Sequence, residues 1–311
     1  MWTNVEGLGL ATTISNLIQQ WDVQFNRLPD LREASDIFIS SDYSGDHRGS
    51  LYRVISFLIA DARSWKTWES ERKTVRALHL LDGRRMSFKS LADRRRSIAL
   101  RPFLQAASCL RGVCATFAIH RSVTSLFATQ GKPNPIVAGF PLQAKWSPNS
   151  FERVLRVVHL LSILIAGVSS PRQNVLWMTD NDDIVATLNH HNDTVRLLAN
   201  ISSHYLTHTL GHLRVATATS DTGDRQIEDL LSIPDLVAGC VAQLLTEYEL
   251  TGGIPGGGLL TSLSQAVNEK TRLIASWLSL RRRPLCTLVF QLGFTPTRTR
   301  WNLRILDFTS A

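Results

Sequence analysis

Apolar and polar positions alternate along the chain in two rhythms, short β-branched runs and longer helical stripes. Residues 3–30 place Ile14, Leu17, Ile18 and Trp21 at helical spacing, which predicts one or two helices at the start. Residues 36–42, Asp-Ile-Phe-Ile-Ser-Ser-Asp, predict a buried strand that stops at the turn signal Tyr43-Ser44-Gly45-Asp46-His47-Arg48-Gly49. Residues 51–59 predict a second strand with hairpin spacing and residues 113–119 a third, with a basic helix over 87–110 between them. Residues 128–150, with Gly131, Pro133, Pro135, Gly139, Pro141 and Pro148, read as a loop or insertion. A strongly apolar helix over 151–168 follows, then a strand over 175–180, a helix over 182–207 and a strand over 212–219. The next helix, 227–248, is expected to be interrupted at Pro234. A glycine-rich run from Thr251 to Gly258 leads to a helix over 260–280 and two short strands, 285–292 and 301–308.

This order predicts an α/β protein: one mixed sheet with helices packed on both faces, its antiparallel part made by the opening hairpin. The pattern divides into an N-terminal helical extension (1–35), a sheet domain (36–250) and a C-terminal appendage (251–311). The longest apolar stretch, 157–168, is interrupted by His159 and Ser162 and is too short to span a bilayer; it reads as a core helix. The first residues lack a basic segment ahead of an apolar one, so no secretory signal is expected and the reading is a cytoplasmic protein without a membrane partner.

Composition narrows this further. With 44% apolar and 19% charged residues the chain has enough apolar mass to fold. Four cysteines in 311 residues, with no C-x-x-C pair, exclude a disulfide scaffold and a structural zinc site, and fit small buried hydrophobes in a reducing compartment. The formal charge of +8 is uneven: residues 61–121 carry 14 basic and 5 acidic side chains, residues 180–250 carry 3 and 11, and residues 251–311 carry 8 and 2. Basic surface attracts phosphate backbones, and clustered carboxylates repel one another unless a cation sits among them. Charge runs such as Arg94-Arg95-Arg96 and Arg281-Arg282-Arg283 also fit plain solvated faces.

Three aspartates fall where an open α/β sheet presents its ligand crevice. Asp42 ends the first strand, Asp180 ends the fourth and Asp235 lies on the helix after the fifth; Asp182 and Asp183 follow Asp180 closely. Hard carboxylate oxygens from remote stretches are what a pair of Mg²⁺ or Mn²⁺ ions needs to grip a phosphodiester. Glu152, the acid at the start of the 151–168 helix, is the candidate fourth ligand. Each has a plainer reading. Asp42 fits turn chemistry, Asp180 fits a cap of the next helix, Glu152 fits a first helical turn, and Asp235 fits a helix restarting at Pro234. Lys89, Arg94, Arg95 and Arg96 are candidates for tracking nucleic-acid phosphates. No phosphate loop, H-E-x-x-H or G-x-S-x-G motif is present.

Ser41-Asp42-Tyr43-Ser44-Gly45-Asp46 resembles the aspartate–glutamate–serine–glycine opening of an uncharacterised bacterial family of predicted RNase H-like nucleases. Ser232-Ile233-Pro234-Asp235-Leu236-Val237-Ala238-Gly239 resembles that family's closing helix, and Asp180 falls at its middle-strand aspartate. The resemblance spans residues 36–248, with Tyr43 in place of the usual glutamate and Pro234 in place of the usual alanine. It implies an RNase H-like fold and metal-dependent cleavage of DNA or RNA, with Asp42, Asp180 and Asp235 as ligands, and a role in bacterial defence or as a toxin. The competing expectation is a non-catalytic RNase H-like module binding nucleic acid, or a protein partner through the appendage.

Overall fold

The computed structural model describes residues 2–6, 9–126, 139–221, 223–254, 258–261, 267–281, 283–294 and 301–309. Residues 128–138 of the proline-rich loop, 255–257 of the glycine-rich run and Arg282 lie outside the described residues. The chain forms two compact units: Met1–Ile37 with Thr124–Thr219, and Phe38–Val123 with Ser220–Ala311. The boundary falls inside the first strand, so each unit is built from two separate stretches of sequence.

The first unit holds α1 (Leu10–Phe25), α4 (Pro148–Val168), β4 (Asn174–Thr179), α5 (Leu188–Tyr205) and β5 (Leu213–Thr217). β4 and β5 pair in parallel, Val175 opposite Leu213. The N–H of Asn174 donates to the carbonyl of Ser35 at 2.9 Å, and its amide donates to Asp36 at 2.8 Å, which fixes the start of β4 against the start of the first strand. α4 is buried along its whole length from Val154 to Val168 and is the core of this unit. Its N-terminus carries proline in the first turn, and Ser147 accepts the N–H of Ser150. Of its three buried polar side chains, Arg156 pairs with Glu152 of the same helix, and two are met by α5: His159 Nδ1 lies 2.9 Å from the Tyr205 hydroxyl, and Ser162 Oγ 2.8 Å from Ser202 Oγ.

The second unit holds β1 (Asp36–Ser44), β2 (Tyr52–Asp61), α2 (Trp65–His79), α3 (Arg94–Ala107), β3 (Gly112–His120), α6 (Gln226–Thr251), β6 (Leu259–Thr261), α7 (Glu269–Leu278), β7 (Leu285–Phe294) and β8 (Trp301–Thr309). Its strands run in the order β1-β2-β3-β7-β8-β6. β2 and β3 are antiparallel, β3 and β7 parallel, β7 and β8 antiparallel, and β8 and β6 parallel. The fold is therefore a mixed α/β architecture, as the element order predicts. The turn between β1 and β2 requires Gly45: its φ is +87° and a Cβ there would lie 1.9 Å from the Tyr52 carbonyl. The stretch after the glycine-rich run adds strands to this sheet through β7, whose row of Val289, Phe290 and Leu292 is buried. α6 is long and apolar enough to cross a membrane, and 89% of its apolar window is buried inside the protein, which marks it as a core helix.

Four local expectations differ from the structure. The predicted pattern lacks α2, because its exposed face mixes charged, hydroxyl and apolar residues (Lys66, Thr67, Ser70, Glu71, Lys73, Thr74, Ala77 and Leu78) and its buried apolar anchors reduce to Trp68 and Val75. The basic helix expected over 87–110 is split into a 3-10 turn (Phe88–Ala92) and α3, which Asp93 caps by accepting the Arg96 N–H. α5 begins at Leu188, capped by Thr187, rather than at 182. The helix expected over 260–280 shortens to α7 behind the short strand β6.

Burial of α4 makes a prediction. Desolvation, helped by the charge of His204, pushes the His159 imidazole down to about 3. A histidine held neutral in the fold and free to protonate when unfolded contributes stability above its ordinary value near 6.5, and that stability is lost as pH falls towards 3. Chemical denaturation at pH 7 and pH 4 should show wild-type stability falling by a few kcal/mol more than that of His159→Gln; equal pH slopes would refute the assignment.

Candidate active site

Asp42 is 8% exposed and lies within β1, not in the turn, so turn chemistry does not account for it. One oxygen accepts the N–H of Tyr43 at 2.6 Å. The other lies 3.8 Å from Arg85 Nη2, with the Arg85 side chain 28% and the Asp42 side chain 12% exposed.

Asp235 is placed by an unusual helix. α6 runs without a break through Pro234, contrary to the expected interruption, so Asp235 is not in a first turn. Proline has no N–H to give to the carbonyl four residues earlier. That carbonyl, of Leu230, instead accepts the hydroxyl of Ser40 from β1 at 2.9 Å. The residue that would break the helix thus frees an acceptor, and a buried serine of the neighbouring strand fills it. With α6 so docked, Ser232 Oγ donates to the Met86 carbonyl at 2.7 Å, and Asp235 Oδ2 accepts the Phe88 N–H at 2.7 Å. Gly239, one turn on, leaves room for the Phe88 ring: a Cβ there would come within 2.3 Å of it. Lys270 of α7 closes the other side, donating to the Phe88 carbonyl at 3.0 Å and standing 4.1 Å from the ring centroid. Burial lowers the Lys270 ammonium, while Asp235 works in the opposite direction.

Residues 85–88 therefore touch both motif aspartates of this unit, Arg85 at Asp42 and Phe88 at Asp235. Sequence reasoning missed this segment. Its signal was present but divided: Gly239 and Asp235 sit four apart, on one helix face, and both serve Phe88. Of the basic candidates, Lys89, Arg94 and Arg95 are exposed. Arg96 is held by Asp93 at 3.5 Å and donates from Nε to the Arg85 carbonyl at 2.8 Å, so it braces the segment.

In the first unit Asp180 directly follows β4; its side chain accepts the Asn181 N–H at 2.9 Å, and Thr187, not Asp180, caps α5. Asp182 accepts the Ile184 N–H with one oxygen, while its Oδ2 is buried without a hydrogen-bond partner. Burial, with the neighbouring Asp183 and Asp180 charges adding to it, pushes the Asp182 carboxyl up to about 7. Asp183 pairs with Arg153 at 2.9 Å. Glu152 is the fifth residue of α4, beyond the first turn, and is fully employed: it accepts from Leu126 N, Ser125 Oγ and Arg156 Nε at 3.1, 3.2 and 2.7 Å. Among the described residues no group of three or more His, Cys, Asp or Glu side chains stands together as a metal cluster. No protein-family model matches this chain, and no curated protein matches it.

The joint at Pro234 is testable. Ser40→Ala orphans a buried carbonyl and should cost about 1–3 kcal/mol. In a Pro234→Ala background, where residue 234 regains its N–H, the same change should cost under about 0.5 kcal/mol. A double-mutant cycle in urea measures the coupling; additive costs would exclude the exchange of donors described above.

Proposed function

We propose that this chain is an RNase H-like nuclease that hydrolyses phosphodiester bonds in DNA or RNA with Mg²⁺ or Mn²⁺. One positional observation carries the reading. Asp42 lies near the end of β1, Asp180 is the first residue after β4, and Asp235 is on α6, the helix after β5, in the order that the resemblance implies. The donor chemistry suits a hard divalent ion: these are carboxylate oxygens, and beside Asp180 the Oδ2 of Asp182 is buried without a hydrogen-bond partner. The resemblance assigns ion binding to Asp42 and Asp235 of the second unit and to Asp180 of the first, and on this reading these carboxylates are the ligands. When bound, the ion supplies Lewis-acid stabilisation of phosphate charge and activation of water. The chain's own side chains do the rest. Arg85 stands at Asp42 to meet negative charge, and the exposed Lys89, Arg94 and Arg95 beside it guide the strand by its phosphates. The four free thiols, three of them buried, agree with a reducing compartment, and we place the protein in the cytoplasm.

A second reading, a non-catalytic nucleic-acid-binding subunit, draws support from the roles the carboxylates already fill: Asp235 positions Phe88, and Arg156 neutralises Glu152. The two part on one assay. Single- and double-stranded DNA and RNA are incubated with Mg²⁺ or Mn²⁺ and wild-type protein or Asp42→Asn. The nuclease reading expects cleavage that falls at least about 100-fold in the variant, since even groups supporting a metal ligand are worth 10–100-fold. Cleavage unaffected by the substitution, or binding with no cleavage of any substrate, would end it.

A further inference from the structure

We propose that Arg283 anchors a binding site for a small carboxylate, placed between α7, β3 and β7 of the second unit. The proposal does not depend on the nucleic-acid reading above.

Arg283 belongs to the Arg281-Arg282-Arg283 run in the connection between α7 and β7. Arg281 is exposed and pairs with Asp307 at 2.8 Å. Arg283 turns inward instead. Its guanidinium carbon stands 4.0 Å from the ring centroid of Trp277 on α7, and its Nη2 donates to the Thr287 hydroxyl of β7 at 3.2 Å. Its Nε and Nη1 are buried and have no hydrogen-bond partner. The titratable groups that act on it are thiols, Cys114 of β3 and Cys286 of β7, not carboxylates. Burial pushes the Cys114 thiol up to about 11, so it is protonated at neutral pH. Burial pulls the Arg283 guanidinium down to about 10, which still leaves it charged there. A positive charge has thus been taken out of water with no acidic side chain beside it, which is a costly arrangement.

Where arginine serves the fold, this chain meets it with acids. Arg76 grips Asp229 through Nε and Nη2, both at 2.6 Å, and Arg156 meets Glu152 at 2.7 Å. Around Arg283 the neighbouring polar groups are engaged elsewhere. The Thr287 hydroxyl donates to the Leu278 carbonyl at 3.1 Å, and the Trp277 indole N–H goes to the Leu104 carbonyl and the Ser108 hydroxyl, each at 2.9 Å. The C-terminal end of α7 favours a cation nearby, but none of its carbonyls bonds the guanidinium. Both bidentate edges of Arg283, Nε with Nη2 and Nη1 with Nη2, therefore keep an unused donor. That planar fork matches a carboxylate. One fixed positive charge also calls for one negative charge; a phosphate dianion would leave an excess charge buried. Nε and Nη1 are enclosed, between exposed Arg281 and exposed Pro284 in the chain, so the ligand that suits them is a free small acid and not a nucleic-acid strand.

The test is thermal melting of the whole chain at pH 7 in sodium acetate, sodium phosphate or sodium chloride of equal ionic strength, with wild type, Arg283→Met, Arg283→Lys and, as a surface control, Arg101→Met. Acetate should raise the wild-type and Arg101→Met melting temperatures by about 3 °C or more at saturation, relative to chloride. Arg283→Met should show no such rise. Arg283→Lys keeps the charge but loses the fork, and should need about tenfold more acetate for the same rise. In chloride, Arg283→Met should melt no lower than wild type, because it removes a buried charge and two orphan donors; a drop of more than about 5 °C would mean that the fold already satisfies the guanidinium, and would overturn the inference. A wild type that responds to acetate no more than to chloride, a stronger response to phosphate than to acetate, or an acetate response that survives in Arg283→Met would each overturn it too. If Arg283→Met does not fold, the comparison of wild type with Arg283→Lys decides: equal acetate dependence sinks the proposal.

Discussion

The hydroxyl of Ser40 on the carbonyl of Leu230 is the contact on which the second unit turns. A proline in mid-helix ordinarily kinks or breaks it, at a cost of about 3 kcal/mol or more, partly through a lost hydrogen bond. Here the acceptor left over is used to seat α6 on β1. The consequence reaches further than one bond. Seating α6 in that register aims Ser232, Asp235 and Gly239 at residues 86–88, and those residues bring Arg85 to the aspartate two positions beyond Ser40 on β1. The strand, the helix and the loop are thus mutually positioned by a serine and a proline that make no contact with any proposed substrate.

Charge follows two regimes. Deep pairs are closed: Arg72 is fully buried and shared among Glu69, Asp224 and Asp229, and Asp229 is itself fully buried. Removing one partner from such a group strands the other charge in low dielectric, so these arginines are committed to the fold. Those around residues 84–96 are graded from braced to exposed: Arg96 at 15%, Arg85 at 28%, Arg84 at 53% and Arg95 at 68% side-chain exposure. The excess of positive charge in residues 61–121 is therefore two populations, one neutralised inside and one facing water. A net count along the sequence merges them.

Much of the architecture was legible because the strands are short and strongly apolar. β1, β2, β3, β4 and β7 lie within a few residues of the segments that their β-branched runs predict, and α4 announces itself by a dozen apolar positions. α2 was not legible, since a helix buried on Trp68, Arg72 and Val75 hides its inward arginine among outward Lys66, Glu71 and Lys73, and pattern reading counts every arginine as solvated. The continuity of α6 was illegible for a different reason. Whether a proline breaks a helix depends on what else can take the freed carbonyl, and the answer, Ser40, lies 190 residues away. At the candidate site, the aspartates are named from sequence as candidates only, and what surrounds them is not: residues 85–88 belong to a stretch with no motif of its own.

The two readings of function share a requirement that the sequence alone does not reveal. Asp42 is a nearly buried carboxylate, and a buried negative charge needs a counter-charge. Arg85 stands in that position. A divalent cation at Asp42 would take over the neutralisation, and two cationic groups would then compete for one carboxylate. A backbone phosphate arriving there would meet both positive charges and relieve their repulsion. Cation and phosphate would therefore assist one another at Asp42, each removing the other's unfavourable neighbour, and affinity for nucleic acid would rise with the cation present. In a binding module without a cation, Asp42 would instead temper the charge of Arg85 and weaken its grip on phosphate. The charges of Asp42 and Arg85 thus bear directly on the sign of the coupling between divalent cation and nucleic acid.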